Sequence, residues 1–296
     1  MRKISWLSVM LVLTVCIVSA AAEQGGGPPS SSDPAGVVSA TEDQTTQSAE
    51  PTAVRHRGLP LLWDKVPAEY RDELPLPYGI SIDYYHEDQK MVFSDVLITM
   101  PGPPFQDFVR LESVRSRSDS FTTRFDAWIL PFLNAYVHTS GLRGKATDIK
   151  VQAPPQFSAL VPDEVPYNGS NTGLGLAVAY GYKRMFFTYN WDWSKAKPNV
   201  LSNKTTTFQQ GPRVGVRLHR VNLYVGATKQ TIRGRQTGAM TLANQIPVTF
   251  DLRVAPEHAW NWLVGVEHDP NPHWTVRLEV GFASRKTFML STGYRF

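Results

Sequence analysis

The chain has 296 residues, of which 42% are apolar, 11% are aromatic and only 19% are charged, whereas soluble domains usually carry about 25% charged residues. The formal net charge is +4, spread along the chain without a basic cluster, which argues against a nucleic-acid-binding protein. The single cysteine, Cys16, lies in an N-terminal apolar run. Loss of that run would leave no thiol for disulfides, zinc–thiolate sites, iron–sulfur clusters or nucleophilic catalysis.

Residues 1–22 have the pattern of a secretory signal peptide. Arg2 and Lys3 precede an apolar stretch that ends at Val18, and small residues follow up to Ala22. An alternative is lipidation at Cys16, because the preceding residues weakly resemble a lipobox, although Val15 is larger than the residue expected there. No later segment approaches the roughly 18 consecutive apolar residues of a membrane-spanning helix.

The next two segments differ in composition. Residues 23–57 are rich in Gly, Pro, Ser and Thr and predict a disordered periplasmic tether, because such a segment buries too little apolar surface to offset its ordering entropy. Residues 58–77 predict a short periplasmic segment. It contains a helix over 67–74, which has Pro67 near its first position and is stopped by Pro75 and Pro77.

From residue 78 to residue 296 the dominant pattern has a period of two. In the last segment apolar and aromatic residues alternate with small and polar ones, and the two preceding segments repeat this alternation. The polar face carries charges and glycines in strand after strand, and aromatic residues concentrate at the strand ends. These two features favour a membrane barrel over a soluble sandwich.

Ten strands can be delimited from the alternation, at 78–98, 113–129, 132–146, 173–183, 185–196, 205–219, 221–233, 256–268, 273–283 and 287–296. Tight turns at 130–131, 183–184, 219–220 and 269–272 alternate with mostly longer connections, including 147–172 and 234–255, and with one short exception at 284–286. The sequence therefore predicts an all-β fold, a transmembrane antiparallel up-and-down β-barrel of about ten strands at 78–296, with a short N-terminal periplasmic segment. The predicted location is the outer membrane of a Gram-negative bacterium, with both termini periplasmic and outer-membrane lipid as a partner.

The chain ends in Tyr294-Arg295-Phe296. A terminal phenylalanine with an aromatic residue two positions earlier is similar to the signal by which bacterial outer-membrane barrels are recognised for assembly. Tyr294 and Phe296 are therefore the predicted assembly signal, with the outer-membrane barrel assembly machinery as partner.

Five segments also resemble a functionally uncharacterised family of proteobacterial outer-membrane β-barrel proteins. They are the residues at 84–89, 125–134, 212–215, 260–265 and 290–296. The resemblance covers most of residues 77–296 and implies the fold and the location. It implies no active site.

The inward faces of the predicted strands carry five acids and five arginines, and we predict that they form a charged network in the lumen: Asp83, Arg124, Asp126, Asp192, Arg213, Arg217, Glu267, Arg277, Glu279 and Arg295. Arginine pairs with carboxylates through two parallel hydrogen bonds. The strand from Gly173 turns small residues inward and is expected to leave local space. Ten strands with five inward arginines predict a mostly blocked lumen, either as a structural network or as a narrow, charge-lined passage.

No catalytic, cofactor-binding or metal-ligating motif is present, and the chain is predicted not to be an enzyme and to need no cofactor. The sequence favours a narrow charge-lined channel for small solutes. The alternative is a non-transporting structural or surface-display barrel that anchors the envelope, with a further envelope partner reached through the tether. A surface hydrolase is supported only by His86-Glu87-Asp88, which a polar loop tip explains better, because neighbouring residues in a strand point to opposite faces. His138 is predicted to be a hydrogen-bonded interior histidine.

Overall fold

The computed structural model describes residues 59–66, 74–99, 110–152, 162–241 and 247–296. A 3-10 turn at Trp63–Lys65 precedes twelve strands: β1 Tyr78–Thr99, β2 Arg110–Leu130, β3 Leu133–Gln152, β4 Glu164–Tyr182, β5 Met185–Pro198, β6 Thr205–Leu218, β7 Val221–Arg233, β8 Arg235–Thr241, β9 Pro247–Pro256, β10 Trp260–His268, β11 Trp274–Phe282 and β12 Arg285–Arg295. No helix in these residues is long and apolar enough to cross a membrane. The predicted signal peptide and tether, and residues 67–73 of the predicted helix, lie outside the described residues.

Ten of the strands close into a barrel. β1 to β7 and then β10 to β12 pair antiparallel in chain order, and β12 pairs with β1 from Gly79 opposite Arg295 to Gln89 opposite Arg285. At the end of this seam the Tyr78 and Phe296 backbones exchange two hydrogen bonds, of 3.1 and 3.0 Å. The predicted ten-strand antiparallel barrel is confirmed.

The two rims of the barrel differ. The turn rim carries the four tight connections at 131–132, 183–184, 219–220 and 269–273, together with the first and last residues of the barrel, Tyr78 and Phe296. Lys183 and His219 adopt φ angles of 55° and 58°, as two-residue hairpin turns require if the strands are to keep their right-handed twist. The opposite rim, the loop rim, carries the remaining connections.

The outer face is apolar and exposed along every barrel strand. This follows from the period of two, because residues that alternate with the lumen-facing ones all point outward. The large exposed residues include Ile82, Phe121, Phe125, Val137, Leu174, Tyr180, Phe187, Val214, Val225, Trp262, Val264, Phe282 and Leu290.

One predicted loop is a hairpin instead. The predicted connection at 234–255 contains β8 and most of β9, which pair with each other. β9 also pairs with the upper part of β1, from Met91 opposite Pro256 to Thr99 opposite Thr249. The physical reason is the unequal length of the strands: β1 continues ten residues past the point where β12 begins. Without β9 that part of β1 would present an unpaired sheet edge.

The connection predicted at 147–172 is also shorter than expected. β3 continues to Gln152 and β4 begins at Glu164, so the two strands pair as far as Thr147 opposite Glu164. β1 to β4 therefore rise well above β10 to β12, and the β8–β9 hairpin completes the wall above the short strands. Ser202 in the β5–β6 connection donates its N–H to the Thr237 carbonyl at 2.7 Å and joins β8 to that side of the wall.

Candidate functional site in the barrel interior

Three ion pairs lie in the half of the lumen nearer the turn rim. Arg213 binds Glu279 through two hydrogen bonds of 3.0 and 3.3 Å. Arg295 binds Asp126 at 2.6 Å, and Arg277 binds Glu267 with its Nε at 2.7 Å. We call these six residues the ion-pair plug. The structure thus brings six of the ten predicted lumen charges together as arginine–carboxylate pairs.

Inward glycines let the paired side chains meet. Gly79 on β1 lies in register with both Asp126 and Arg295, and a Cβ at Gly79 would collide with the Asp126 carboxylate. Arg213 on β6 and Glu279 on β11 are separated by two strands. A Cβ at Gly226 on the first of these would press against the Arg213 side chain. Two of the three pairs therefore reach past a strand on which an inward glycine leaves room for the paired side chains. Glu267 and Arg277 need no such glycine, because they lie opposite each other on neighbouring strands.

Neutral groups complete the plug. Tyr224 donates its hydroxyl to Glu279 at 3.2 Å, and Asn134 donates to Asp126 at 2.7 Å. Asn222 donates to Glu267 at 3.1 Å. Asp126 and Glu279 are buried, so a carboxylate that lost its partners there would have little water to replace them.

Asp269 lies outside the strands, in the turn below Glu267. It accepts hydrogen bonds from Thr275 at 2.7 Å and from Asn222 at 3.2 Å. Burial raises the pKa of the Asp269 carboxyl above its usual range, and the negative charge of Glu267 adds to this rise. The turn rim thus carries one more, partly buried acid, Asp269, beneath the three acids of the plug.

The other four predicted charges form no arginine–carboxylate pair with the described residues. Arg124 stacks over Tyr136, with its guanidinium carbon 5.2 Å from the ring centre. Asp83 accepts a hydrogen bond from Ser291, Asp192 lies beside His138, and Arg217 is exposed at the turn rim. Alternation assigned all ten positions to the lumen. It gave no information about how far along the barrel axis each residue lies, because that depends on the stagger between strands.

The space expected beside Gly173 and Gly175 is occupied. A Cβ at Gly173 would collide with His138 Nε2, and one at Gly175 would collide with the Tyr136 ring. His138 Nε2 lies 3.0 Å from Asp192 Oδ2 without the alignment of a hydrogen bond. These two bulky side chains on β3 therefore fill the gap that the small residues of β4 leave.

Arg285 is an interior residue that the sequence reading placed in a connection. It is the first residue of β12 and is only 2% exposed. Its guanidinium donates to Gln230 and to the Thr228 hydroxyl, and its N–H donates to Asn261 Oδ1 at 3.0 Å. Extending the alternation of β12 by one step would have turned Arg285 inward.

The half of the lumen nearer the loop rim contains a cavity of about 680 Å³, which we call the chamber. Its upper wall is apolar and comes from the strands that extend beyond the short side of the barrel and from the hairpin: Met91, Phe93, Ile98, Leu111, Val114, Leu142, Ile149, Val151, Val165, Ile232, Phe250, Leu252 and Val254. The alternation in the sequence predicts a polar, charged interior, and for this wall the prediction is wrong.

A polar band lies below the apolar wall of the chamber. Most of its side chains are hydroxyls and amides, joined by a few charges: Asp83, Glu87, Gln89, Ser116, Ser118, Ser120, Thr122, Arg124, His138, Ser140, Asn171, Asp192, Ser194, Thr205, Thr207, Gln209 and Gln230. Gln89 Oε1, Arg124 Nε and Thr205 Oγ1 are buried and have no hydrogen-bond partner among the described residues. The lining of the chamber thus changes from apolar near the loop rim to polar near the plug.

The prediction of a polar loop tip at 86–88 is wrong: these residues lie within β1 and pair with both β12 and β2, and they do not form one site. His86 and Asp88 point outward, where His86 Nδ1 lies 2.8 Å from Asp119 Oδ1 and Arg115 binds Asp88 through two hydrogen bonds. Glu87 points into the lumen and accepts a hydrogen bond from Tyr85 at 2.8 Å. Among the described residues no group of three His, Cys, Asp or Glu side chains could hold a metal ion.

Tyr294 and Phe296 lie at the barrel seam. The Phe296 ring stacks on Tyr78 with centroids 6.0 Å apart, and the Tyr294 ring meets Trp274 edge-on at 5.2 Å. Between them Arg295 donates to the Leu76 carbonyl at 3.0 Å as well as to Asp126. Whether the two aromatic residues act as an assembly signal stays a prediction.

Comparison with known proteins gives matches among solved structures alone. No protein-family model and no curated protein sequence matches the chain. Among solved structures, the outer membrane protein OprG from Pseudomonas aeruginosa has 8% identity and a TM-score of 0.41, with 75% of this chain and 97% of that chain covered. The translocator domain of the autotransporter NalP from Neisseria meningitidis has 11% identity and a TM-score of 0.38, with 77% and 92% covered. The toluene transporter TbuX from Ralstonia pickettii has 9% identity and a TM-score of 0.34, with 80% and 94% covered.

Proposed function

We propose that the chain is an outer-membrane β-barrel that binds a small, largely apolar solute in the chamber and passes it only when the ion-pair plug rearranges. The apolar outer face supports the membrane location, because a barrel has no unpaired edge and its exposed apolar band matches the hydrocarbon layer. The turn rim is the periplasmic side in this proposal, since short turns are typical of that side.

The chamber is the observation that carries the proposal. Its volume of about 680 Å³ falls within the range of roughly 300–1,000 Å³ that is usual for small-molecule sites, and an apolar lining with a few polar groups is typical of them. An apolar cavity without an occupant costs stability, because its lining atoms lose packing partners. A barrel with a purely structural role has no need to keep one.

The plug distinguishes this barrel from an open pore. Three arginine–carboxylate pairs project into the lumen below the chamber and join β6 to β11, β10 to β11 and β2 to β12. In this proposal they block that part of the lumen, so a solute reaches the turn rim only after at least one pair has moved aside. The same closure suits a second candidate, a barrel that binds a solute or displays its loops without transport. Solute flux separates the two candidates.

Binding in the chamber can be tested with a small fluorescent aromatic probe, 1-aminoanthracene. We expect the full-length protein in lipid nanodiscs to increase probe fluorescence above the level of empty nanodiscs. Val114→Trp should abolish the increase, because Val114 is buried in the chamber wall. Val137→Trp is the matched control, since Val137 is 57% exposed on the outer face and its change leaves the chamber intact.

Equal probe fluorescence in all three proteins would contradict the chamber as a binding site. Heat-modifiable migration on gels reports closure of the barrel in each variant, and Leu142→Trp is a second chamber-filling variant if Val114→Trp does not fold. Uptake of the probe into proteoliposomes then separates transport from binding alone, because a non-transporting barrel keeps the binding signal and shows no flux.

The orientation is tested by cysteine labelling on intact cells. Lys204 and Pro272 are both exposed, Lys204 at the loop rim and Pro272 at the turn rim. A membrane-impermeant maleimide should label Lys204→Cys and leave Pro272→Cys unlabelled until the cells are opened. Labelling of Pro272→Cys alone on intact cells would invert the proposed orientation.

A further inference from the structure

Five cations lie together on the outer face near the loop rim. They are Lys195 and Lys197 on β5, Lys204 before β6, and Lys229 and Arg233 on β7. We call them the basic arc. Lys195 and Arg233 both lie opposite Thr206 of β6, so they are separated by two strand spacings, roughly 10 Å. Lys195 and Lys197 are neighbours on one face of one strand.

The basic arc contains no ion pair with any described residue. This contrasts with the β1–β3 side of the same rim, where Arg115 pairs with Asp88, Lys90 with Glu257 and Lys145 with Glu164. The outward positions of β4 to β7 include one acid, Glu164, and it is the partner of Lys145. By strand register Lys195, Lys197, Lys204 and Arg233 lie within about 15 Å of one another. Like charges at such distances repel one another unless anions lie between them.

The arc borders the apolar outer face through aromatic residues. Trp193 is the next residue below Lys195 on the same face of β5, and its ring lies 5.1 Å from that of Phe208, its register partner on β6. Lys229 stacks over Trp260 at 5.9 Å. Trp193, Trp260 and Trp262 are exposed. Aromatic residues in such a position mark the level of lipid headgroups, and long cationic side chains reach from there toward the headgroup charges.

We infer that the basic arc binds the phosphate groups of lipids in the membrane leaflet at the loop rim. Clustered lysine and arginine side chains beside the membrane recognise phosphorylated headgroups by charge. A lipid that carries two phosphates fits best, because the cations of β5 and those of β7, two strand spacings apart, then each face one phosphate. This inference rests on the proposed membrane location and is independent of the chamber.

The test compares three full-length proteins in zwitterionic phosphatidylcholine nanodiscs. They are the unsubstituted chain, an arc variant (Lys195→Gln, Lys197→Gln, Arg233→Gln) and a control variant (Lys90→Gln, Arg115→Gln, Lys145→Gln) whose cations are all ion-paired. Binding of bisphosphorylated lipid A is measured by native mass spectrometry over a lipid titration. We expect the arc variant to bind on the order of 100-fold more weakly, about fivefold for each charge, and the control variant to bind within about threefold of the unsubstituted chain.

Two further binding measurements test whether the basic arc recognises the phosphate groups of the lipid. Dephosphorylated lipid A should bind all three proteins equally weakly, and inorganic phosphate in the same buffer should displace little lipid A. Unchanged lipid A binding by the arc variant would overturn the inference, and so would an equal loss in the control variant or complete release by inorganic phosphate. Failure of the heat-modifiable barrel to insert into any nanodisc would instead overturn the proposed membrane location.

Discussion

Arg213→Gln should destabilise the barrel by roughly 3–5 kcal/mol, because it leaves the buried Glu279 carboxylate without its cation. Glu279 accepts two hydrogen bonds from Arg213, and after the substitution only the Tyr224 hydroxyl remains at 3.2 Å. The free energy of unfolding is measured by urea titration of the barrel in lipid vesicles, with tryptophan fluorescence as the signal. Water that enters the lumen beside Glu279 would reduce the loss.

Arg217→Gln is the control for this prediction. Arg217 lies on the same strand, four residues away and with the same inward parity, but it is exposed and has no ion-pair partner among the described residues. We expect a change within about 0.5 kcal/mol. The double variant Arg213→Gln, Glu279→Gln should be less destabilised than Arg213→Gln alone, because no unpaired charge remains. Equal losses of unfolding free energy in Arg213→Gln and Arg217→Gln would show that the Arg213–Glu279 pair does not contribute to stability.

Deletion of residues 294–296 should prevent the barrel from closing. It removes the two terminal hydrogen bonds between Phe296 and Tyr78, the stacking of their rings and the Arg295–Asp126 pair of the plug. In cells we expect the truncated protein to remain in the periplasm and to be degraded. Heat-modifiable migration, which reports a closed barrel, should disappear.

Point variants separate closure of the seam from recognition during assembly. Phe296→Ala keeps the backbone hydrogen bonds with Tyr78 and the Arg295–Asp126 pair, so refolding of the purified protein into vesicles should be nearly normal. If Phe296 is also part of an assembly signal, the same variant should assemble poorly in cells. Normal insertion of the truncated protein in cells would contradict both roles of the C-terminal residues.

The strand pattern was predictable because each barrel strand is apolar on one face only. Residues 287–296 alternate without interruption, and the observed β12 differs from the prediction by two residues at one end and one at the other. The β8–β9 hairpin was missed although residues 248–254 alternate. Pro247 and Pro256 border that run and suggested a loop, and its partner is the far end of β1, more than 150 residues earlier in the chain.

The ion pairs were harder to predict than which face of each strand points into the lumen. Alternation turns Arg213 and Glu279 toward the lumen, but it does not show that they meet across two intervening strands, since this depends on the stagger of four strands. Gly79 and Gly226 were an available signal, because an inward glycine between two strands with opposite charges leaves room for the pair. About half of the apolar upper wall went unrecognised because its residues lie where the strands extend beyond the predicted ends or belong to the hairpin, as with Ile149, Val151 and Leu252. Others, such as Met91, Val114 and Leu142, lie within predicted strands, and their inward parity was an available signal.

The most direct test is the conductance of the unsubstituted full-length protein in planar bilayers. The account holds that the ion-pair plug closes the lumen below the chamber, so it predicts inserted, heat-modifiable barrels that show no resolved conductance steps in simple salt. The double variant Arg213→Gln, Glu279→Gln, recorded in parallel, serves as the loosened-plug comparison. A large, stable, ohmic conductance of the unsubstituted protein would show that ions pass the plug freely and would contradict the account.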